Sequence, residues 1–535
     1  MRTDFQLLQS ALAVGDLRKE DVSKMTRDKA RTINLYSVKM PEKFKGLPSV
    51  WFFGILQEQS RIEDNVEVIM DEADGLIRQL LKDKGVPIVF ISNYHFIHFG
   101  DTLGYGEQPV FFLKSTDLPG KDSFAKGAKS VQDEAPVLLA IKRQFKASQP
   151  SYYLSPYLPN KPVSDWRFFG RKKEIAEIME SETNCFVIGA RRMGKTSLLQ
   201  EIERQLHNRG EVVYRIECQY MTRIQEVVYQ MLEKLSYRDF VQIQNMGKTV
   251  ELDYIRTVIR KLKKENKSIT LIFDELGNVI SKDIYNNSWR FIGVLRELSH
   301  NGEAKVIASA FQEVIIRQLY NSEGPFVNFG NTITIGPFAK SEVEELLISP
   351  LNFWGKIKDK KDFSNKVKRY IGSHPLLLQY LGKRLFEKLM NNSEVNIDDI
   401  VEIIYQDELD YFRSAVDDLY IDGIESCLEK YVFLRFCIDI EKSGQELVVA
   451  DINQQVLKTL LEELNIESDF DTRRLFLHRL SLRGLLSQDL SNKLTYRIAS
   501  PLIYNYLKAF YAPVEQLGEI YKGDIKIVKL TVNEF

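Results

Sequence analysis

Gly189-Ala190-Arg191-Arg192-Met193-Gly194-Lys195-Thr196 lies between an apolar run, Cys185 to Ile188, and an amphipathic stretch, Ser197 to His207. The pattern GxxxxGK[ST], set between a strand and a helix, makes a phosphate-binding loop. Its glycines let the backbone wrap phosphates, the N–H groups at the helix start donate to them, and Lys195 brings a point charge to the β and γ phosphates. Thr196 is placed to ligate Mg²⁺. ATP or ADP with Mg²⁺ is therefore the expected ligand set, with Gly189, Ala190, Arg191, Arg192, Met193, Gly194, Lys195, Thr196 and Ser197 as contacts.

Downstream, Leu271-Ile272-Phe273-Asp274-Glu275 is an apolar run closed by two acids. After a phosphate loop this is where a second Mg²⁺ ligand falls, and Asp274 takes that role. Glu275, adjacent but directed elsewhere, suits the base that orients and deprotonates the attacking water. Alone, the same stretch would read as a strand ending in solvated acids. Ser309 closes the next strand candidate and is either a γ-phosphate contact or a turn serine.

Five short apolar runs surround these motifs: Cys185 to Ile188, Val212 to Glu217, Thr270 to Phe273, Lys305 to Ser309 and Thr332 to Ile335. Helical stretches separate them, which implies an α/β fold with a parallel five-stranded sheet and helices on both faces. After Pro337 the pattern turns helical, with Ser341 as the expected N-cap before Glu344 and Glu345. Helices followed by a hairpin over Leu485 to Ile498, turning at Asp489, Ser491 and Asn492, suggest a winged helix-turn-helix. Upstream, Gln149 to Val163 carries Pro150, Pro156, Pro159 and Pro162 and reads as an ordered linker. Before it, β-like runs Ile33 to Val38, Val50 to Leu56, Val86 to Ile91, Val110 to Leu113 and Val137 to Ile141 alternate with helical stretches, a separate mixed α/β domain. The expected divisions are 1–148 (N-terminal domain), 149–163 (linker), 164–340 (nucleotide domain), 341–415 (helical lid), 416–512 (winged helix) and 513–535 (tail).

At 535 residues the chain exceeds one hydrophobic core, which fits this division. Hydrophobic content of 44% and charged content of 27% are globular averages and exclude a largely disordered chain. A formal charge of -1 excludes a whole-chain polyanion binder, so any DNA contact must be regional. Cys185, Cys218, Cys427 and Cys437 form no CxxC pair, and no basic, apolar leader precedes them, so a cytoplasmic protein with reduced thiols and no membrane anchor is expected.

Tyr157 to Glu174, with Pro162-Val163 and Phe168-Phe169-Gly170-Arg171, resembles the lead-in of STAND ATPases and archaeal-type AAA+ ATPases, as does Arg191 to Leu199. In those families the Phe-Gly-Arg segment packs beside the base, so the resemblance implies Phe169, Gly170 and Arg171 as nucleotide contacts. Gly336-Pro337-Phe338 is a further match, and Gly372-Ser373-His374-Pro375-Leu376 is similar to the Gly-x-Pro-containing lid element that senses bound nucleotide, which implies His374 and Pro375 as lid residues. The resemblance covers about Pro150 to Phe510 and omits the first domain. It implies a slow ATPase that changes conformation or self-associates with nucleotide, with a protein trigger and a signalling or antiphage defence output through the N-terminal domain. An arginine finger is not assigned: Arg317 reads as a surface residue.

Two other readings stay open. Asp471 to Arg483 would be the recognition helix of the winged unit, offering Arg473, Arg474 and Arg479 to DNA phosphates with Lys493 on the wing, as in origin-recognition or transposition-helper ATPases. Glu462, Glu463, Glu467, Asp469 and Asp471 lie just upstream, and packing against the nucleotide domain competes with this reading. The N-terminal domain could instead be a gated enzyme such as a nuclease, for which Glu58, Asp64 and Lys114 are the available charges. Asp71-Glu72-Ala73-Asp74 spells a helicase box but falls in a helical apolar pattern without its own phosphate loop. His95 and His98 lack partners for a metal set.

Overall fold

Asn184–Ile188 is buried at all five positions, as a strand covered on both faces must be. In the computed structural model it is β6, next to the centre of a sheet ordered β10-β6-β9-β8-β7. Its companions are β7 (Val212–Glu217), β8 (Ile269–Asp274), β9 (Lys305–Ala310) and β10 (Gly330–Thr334), all parallel. The structure describes residues 155–245, 252–265, 268–277, 279–280, 290–310, 329–354, 356–392, 394–395, 399–400, 409–488, 494–511 and 513–530. Before residue 155 it describes 4–12, 18–25, 33–40, 49–56, 87–92, 110–114, 118 and 137.

The sheet turns the sequence into a site through its direction. Parallel strands bring all their C-terminal ends to one edge, and both motifs leave their strands there. The helix after β6, Lys195–Asn208, buries Leu198, Leu199, Ile202 and Leu206 at helical spacing against the sheet. Full burial of each such side chain is worth about 1.5–3 kcal/mol, which fixes the helix start beneath the loop.

Three long helices follow the sheet: Lys340–Trp354, Lys360–Tyr370 and Pro375–Asn392. The first starts one residue before Ser341, so Ser341 is not its N-cap. Instead Glu342 reaches back to accept from the Ala339 amide at 2.8 Å. A second helical group contains Cys427–Lys442, Gln454–Glu463 and Phe470–Leu482, capped respectively by Ser426, Asn453 and Asp469. An antiparallel hairpin of Leu486–Gln488 and Tyr496–Ile498 comes next, and its expected tip, 489–493, lies outside the described residues. Phe412, Val416, Tyr420, Phe433, Leu477 and Leu480 share one apolar cluster with Leu377, Leu381 and Phe386, so the two helical groups pack as neighbours. The division expected at 415/416 falls in continuous helical backbone with Ala415 and Val416 buried.

The N-terminal region forms a separate mixed sheet, ordered β1 (Val22–Lys24), β2 (Ile33–Lys39), β3 (Val50–Leu56), β4 (Ile88–Ser92), β5 (Val110–Lys114). The first two pairings are antiparallel and the last two parallel. The strand at Val22–Lys24 was not anticipated. Val137 is helical, and 138–141 lie outside the described residues. So do Glu58, Asp64, Asp71 to Asp74, His95 and His98. No helix among the described residues is long and apolar enough to cross a membrane.

Candidate nucleotide site

The loop between β6 and its helix is held open by its own backbone. Gly194 takes φ 89°, with nothing near the position a Cβ would occupy, and Arg192 takes φ 62° in the left-handed region. Lys195 folds along the loop, its Nζ donating to the carbonyls of Gly189 at 2.8 Å and Ala190 at 2.9 Å. Burial pushes the Lys195 ammonium down to about 8, against the opposing pull of Glu275 and Asp274. A lysine kept in the loop by two carbonyls and two nearby acids is available to a phosphate without having to be ordered first.

Asp274 ends β8 and Glu275 follows it. Asp274 is 5% exposed, and its Oδ1 accepts from the Ser309 hydroxyl at 2.8 Å. The same hydroxyl accepts from the Glu275 amide at 2.8 Å, which holds Glu275 at φ 56°. A glutamate in that region is strained by of order 1–3 kcal/mol and persists only where its surroundings fix it. Burial raises the Glu275 carboxyl, with Lys195 opposing, in the direction that suits a base working near neutrality. Ser309 is fully buried and committed to these two acids rather than to the cavity.

A cavity of about 400 Å³ lies between these motifs and the lid, a volume that suits a nucleotide. It is lined by Phe169, Arg171, Arg191 to Ser197, Asp274, Glu275 and Pro375 among the expected residues. Gly170, Gly189, Ala190, Ser309 and His374 are not on its wall. Lys195 for phosphate charge, with Thr196 and Asp274 as one hydroxyl and one carboxylate for Mg²⁺, match what a phosphate-bound Mg²⁺ takes from protein. Sequence reasoning missed the strap Leu158, Pro159, Pro162 and Val163, which forms an apolar side of the cavity. It also missed Arg215 on β7, which pairs with Glu203 and Glu217 at 2.9 Å each and stands 3.8 Å from Asp274 Oδ2. Arg215 lies inside β7, two residues before its end, and no motif in the sequence marks it.

Arg171 joins loop to lid. Its guanidinium donates to the carbonyls of Gly336 and, at 3.5 Å, Met193, and stacks 4.6 Å from the Phe338 ring centre. His374 is not among the residues that line the cavity. Its Nδ1 accepts from the Leu376 amide at 3.2 Å, and its Nε2 is buried against Gly484 without a partner. Burial, and secondarily the Arg171 charge, pushes this imidazole down to about 3, so it stays neutral.

The expected recognition helix, Phe470–Leu482, is seated on the phosphate loop. The Ala190 amide donates to the Leu482 carbonyl at 3.1 Å, and a Cβ on Gly484 would meet Met193 Cε at 2.1 Å and His374 Cδ2 at 2.5 Å. Arg192 pairs with Asp418 at 2.8 Å. The expected DNA contacts on this helix differ in their surroundings. Arg479 is buried and pairs with Glu429 at 2.6 Å, and Arg483 takes the other Glu429 oxygen at 2.8 Å. Arg473 donates to the Ser468 carbonyl at 2.6 Å. Arg474 is exposed beside Asp471, while Lys493 and Arg317 lie outside the described residues.

Residues 168–381 match the family described as an ATPase domain predominantly from Archaea. The matched stretch contains the phosphate loop and both acids, so in this region the chain is similar to that ATPase domain. Among solved structures, a Walker-type ATPase of Pyrococcus abyssi is similar at 14% identity and TM-score 0.43, covering 65% of this chain and 99% of that one. The Aeropyrum pernix ORC2 protein in ADPNP–ADP complexes is similar at 14% identity and TM-score 0.40, covering 65% and 90%. The Aeropyrum pernix ORC1 protein in complex with DNA is similar at 11% identity and TM-score 0.34, covering 67% and 97%. Nucleolar protein 9 of Kluyveromyces lactis is 37% identical over 79 residues, 15% of this chain and 11% of that protein. Likenesses this distant or this short carry nothing about function.

Proposed function

We propose that this chain is a STAND-like ATP-hydrolysing switch in which the nucleotide at Lys195 governs whether the C-terminal helices stay seated on the phosphate loop. The Ala190 to Leu482 hydrogen bond supports this reading, because it ties a residue of the loop itself to the helix that would have to move. In this reading Lys195 binds the phosphates, and Thr196 and Asp274 hold Mg²⁺, which neutralises phosphate charge when bound. Glu275 takes the proton of the attacking water, and Ser309 keeps both acids in place. Seating of the winged helix would hold the resting state, and its release would permit self-association and a signalling or defence output from the N-terminal sheet domain, in the cytoplasm.

Arg479, one of the expected phosphate contacts, is held by Glu429 inside the C-terminal helices, and the Leu482 end of the same helix is occupied by the phosphate loop. The seated form therefore favours the switch over the DNA reading. The test is the mass and ADP release rate of purified protein with ADP, with a non-hydrolysed ATP analogue and with neither, for wild type and Gly484→Val. The valine, at φ 74° and against Met193 and His374, forces the contact apart. Faster ADP release by the variant and a mass change with the ATP analogue are expected. Identical release and unchanged mass in every condition would remove the switch.

A further inference from the structure

A second cleft, of about 410 Å³, opens between the lid helices and the hairpin. Its floor is rigid. The Ser373 amide donates to the Ala499 carbonyl at 3.0 Å, and Gly372, at φ 91°, lies so close that a Cβ would collide with that same carbonyl. Lys368 lines it from the second lid helix, Arg497 from the hairpin and Lys340 from the start of the first lid helix. No acid is among the described lining residues. Arg497 pairs at 3.0 Å with Asp451, and Lys340 stands 4.0 Å from Glu344, both of which lie off the wall.

Lys368, Asn365 and Ser373 line this space, Lys368 and Asn365 exposed, and their side chains make no hydrogen bond or ion pair among the described residues. A cation, an amide and a hydroxyl left to solvent in one cleft, with two further cations around them, make an array of donors facing a missing acceptor. The volume is close to that of the nucleotide cavity, and among the described residues Phe338 borders both. Its ring stacks under Arg171, which donates to Met193 of the phosphate loop, and its amide donates to the Ser373 carbonyl at 2.8 Å.

We propose that this cleft is a second ligand site for a small phosphate-bearing molecule, which on binding ties hairpin to lid. The anion bridges Lys368 on the lid to Arg497 on the hairpin, and Ser373 and Asn365 donate to its remaining oxygens. Such a ligand binds only while the two elements are adjacent, so it stabilises the seated arrangement. Binding in the cleft is independent of the ATPase reading; only its effect on the phosphate loop rests on that reading.

The experiment is calorimetric titration of the 535-residue chain with inorganic pyrophosphate at low salt, in a Lys195→Ala background that weakens the phosphate loop. One equivalent should bind. Adding Lys368→Ser and Arg497→Ser, both at solvent-accessible positions, should weaken it by about tenfold or more, as expected on losing charge-assisted bonds. No binding to Lys195→Ala, or binding indifferent to Lys368 and Arg497, would overturn the site. Displacement of pyrophosphate by a duplex oligonucleotide at equal phosphate concentration would overturn the small-molecule assignment. Separately, wild-type ADP binding that vanishes in Lys195→Ala reports on the ATPase site alone.

Discussion

The hydroxyl of Ser309 donates to Asp274 Oδ1 at 2.8 Å and at the same time accepts from the Glu275 amide at 2.8 Å, so one fully buried side chain sets both acids. Ser309→Ala removes both bonds and leaves a buried amide unpaired, a loss of about 1–3 kcal/mol in stability. Since neither bond reaches the cavity, ADP affinity should change less than about threefold while hydrolysis falls about tenfold or more. Parallel loss of binding and turnover would place Ser309 on the ligand instead.

Lys195 and Glu275 should separate in the opposite sense. Lys195→Ala removes the loop's charge and should weaken ATP binding itself, whereas Glu275→Gln preserves size and removes the base. Phosphate release by Glu275→Gln should drop about a hundredfold or more with radiolabelled ATP still retained. Normal turnover by this variant would reassign the base.

Nucleotide affinity should depend on pH through Lys195. Its ammonium is held down to about 8 by burial, and phosphates bind the protonated form. Protonation is complete well below that value and lost as pH rises through it, so ADP affinity should be flat near neutrality and fall by up to about tenfold per unit above about pH 8. Equilibrium dialysis across this range checks it. Lys195→Ala, lacking the titrating group, should show no such fall.

The two arginines of the seated helix predict opposite outcomes for one charge reversal. Arg479→Glu places a carboxylate against Glu429 in a buried site and should cost at least about 3–5 kcal/mol, read as a large drop in Tm. Arg474→Glu, exposed, should change stability by less than about 0.5 kcal/mol. If salt-sensitive duplex binding exists in the resting protein and Arg474→Glu abolishes it, the DNA reading gains over the switch.

Local chemistry was legible in advance, and long-range pairing was not. Val212–Glu217 and the loop around Lys195 follow from apolar runs and a motif whose members are neighbours in the chain. The inward turn of Arg479 could not be read, because Glu429 sits on another helix and no spacing rule connects them. Ser341 misled for a local reason: Glu342 satisfies the preceding amide, so the helix begins earlier. The prolines near Tyr157 were read as a connection between domains, whereas the packing of that tyrosine depends on a glycine, Gly382, far along the chain.

Tyr157 is fully buried, its ring covering Gly382 and its hydroxyl donating to the Leu346 carbonyl at 3.1 Å. A few residues later the Val163 amide donates to Ser197 at 3.0 Å, on the helix that begins beneath the phosphates. The chain entering from the N-terminal sheet is thus fastened at two points, one on each of the parts that close around nucleotide, with only a short span between. Any rotation of the lid against the core that carries the phosphate loop must therefore break one of these two fastenings or carry residues 157–163 along, so this short segment is a tie between the two parts.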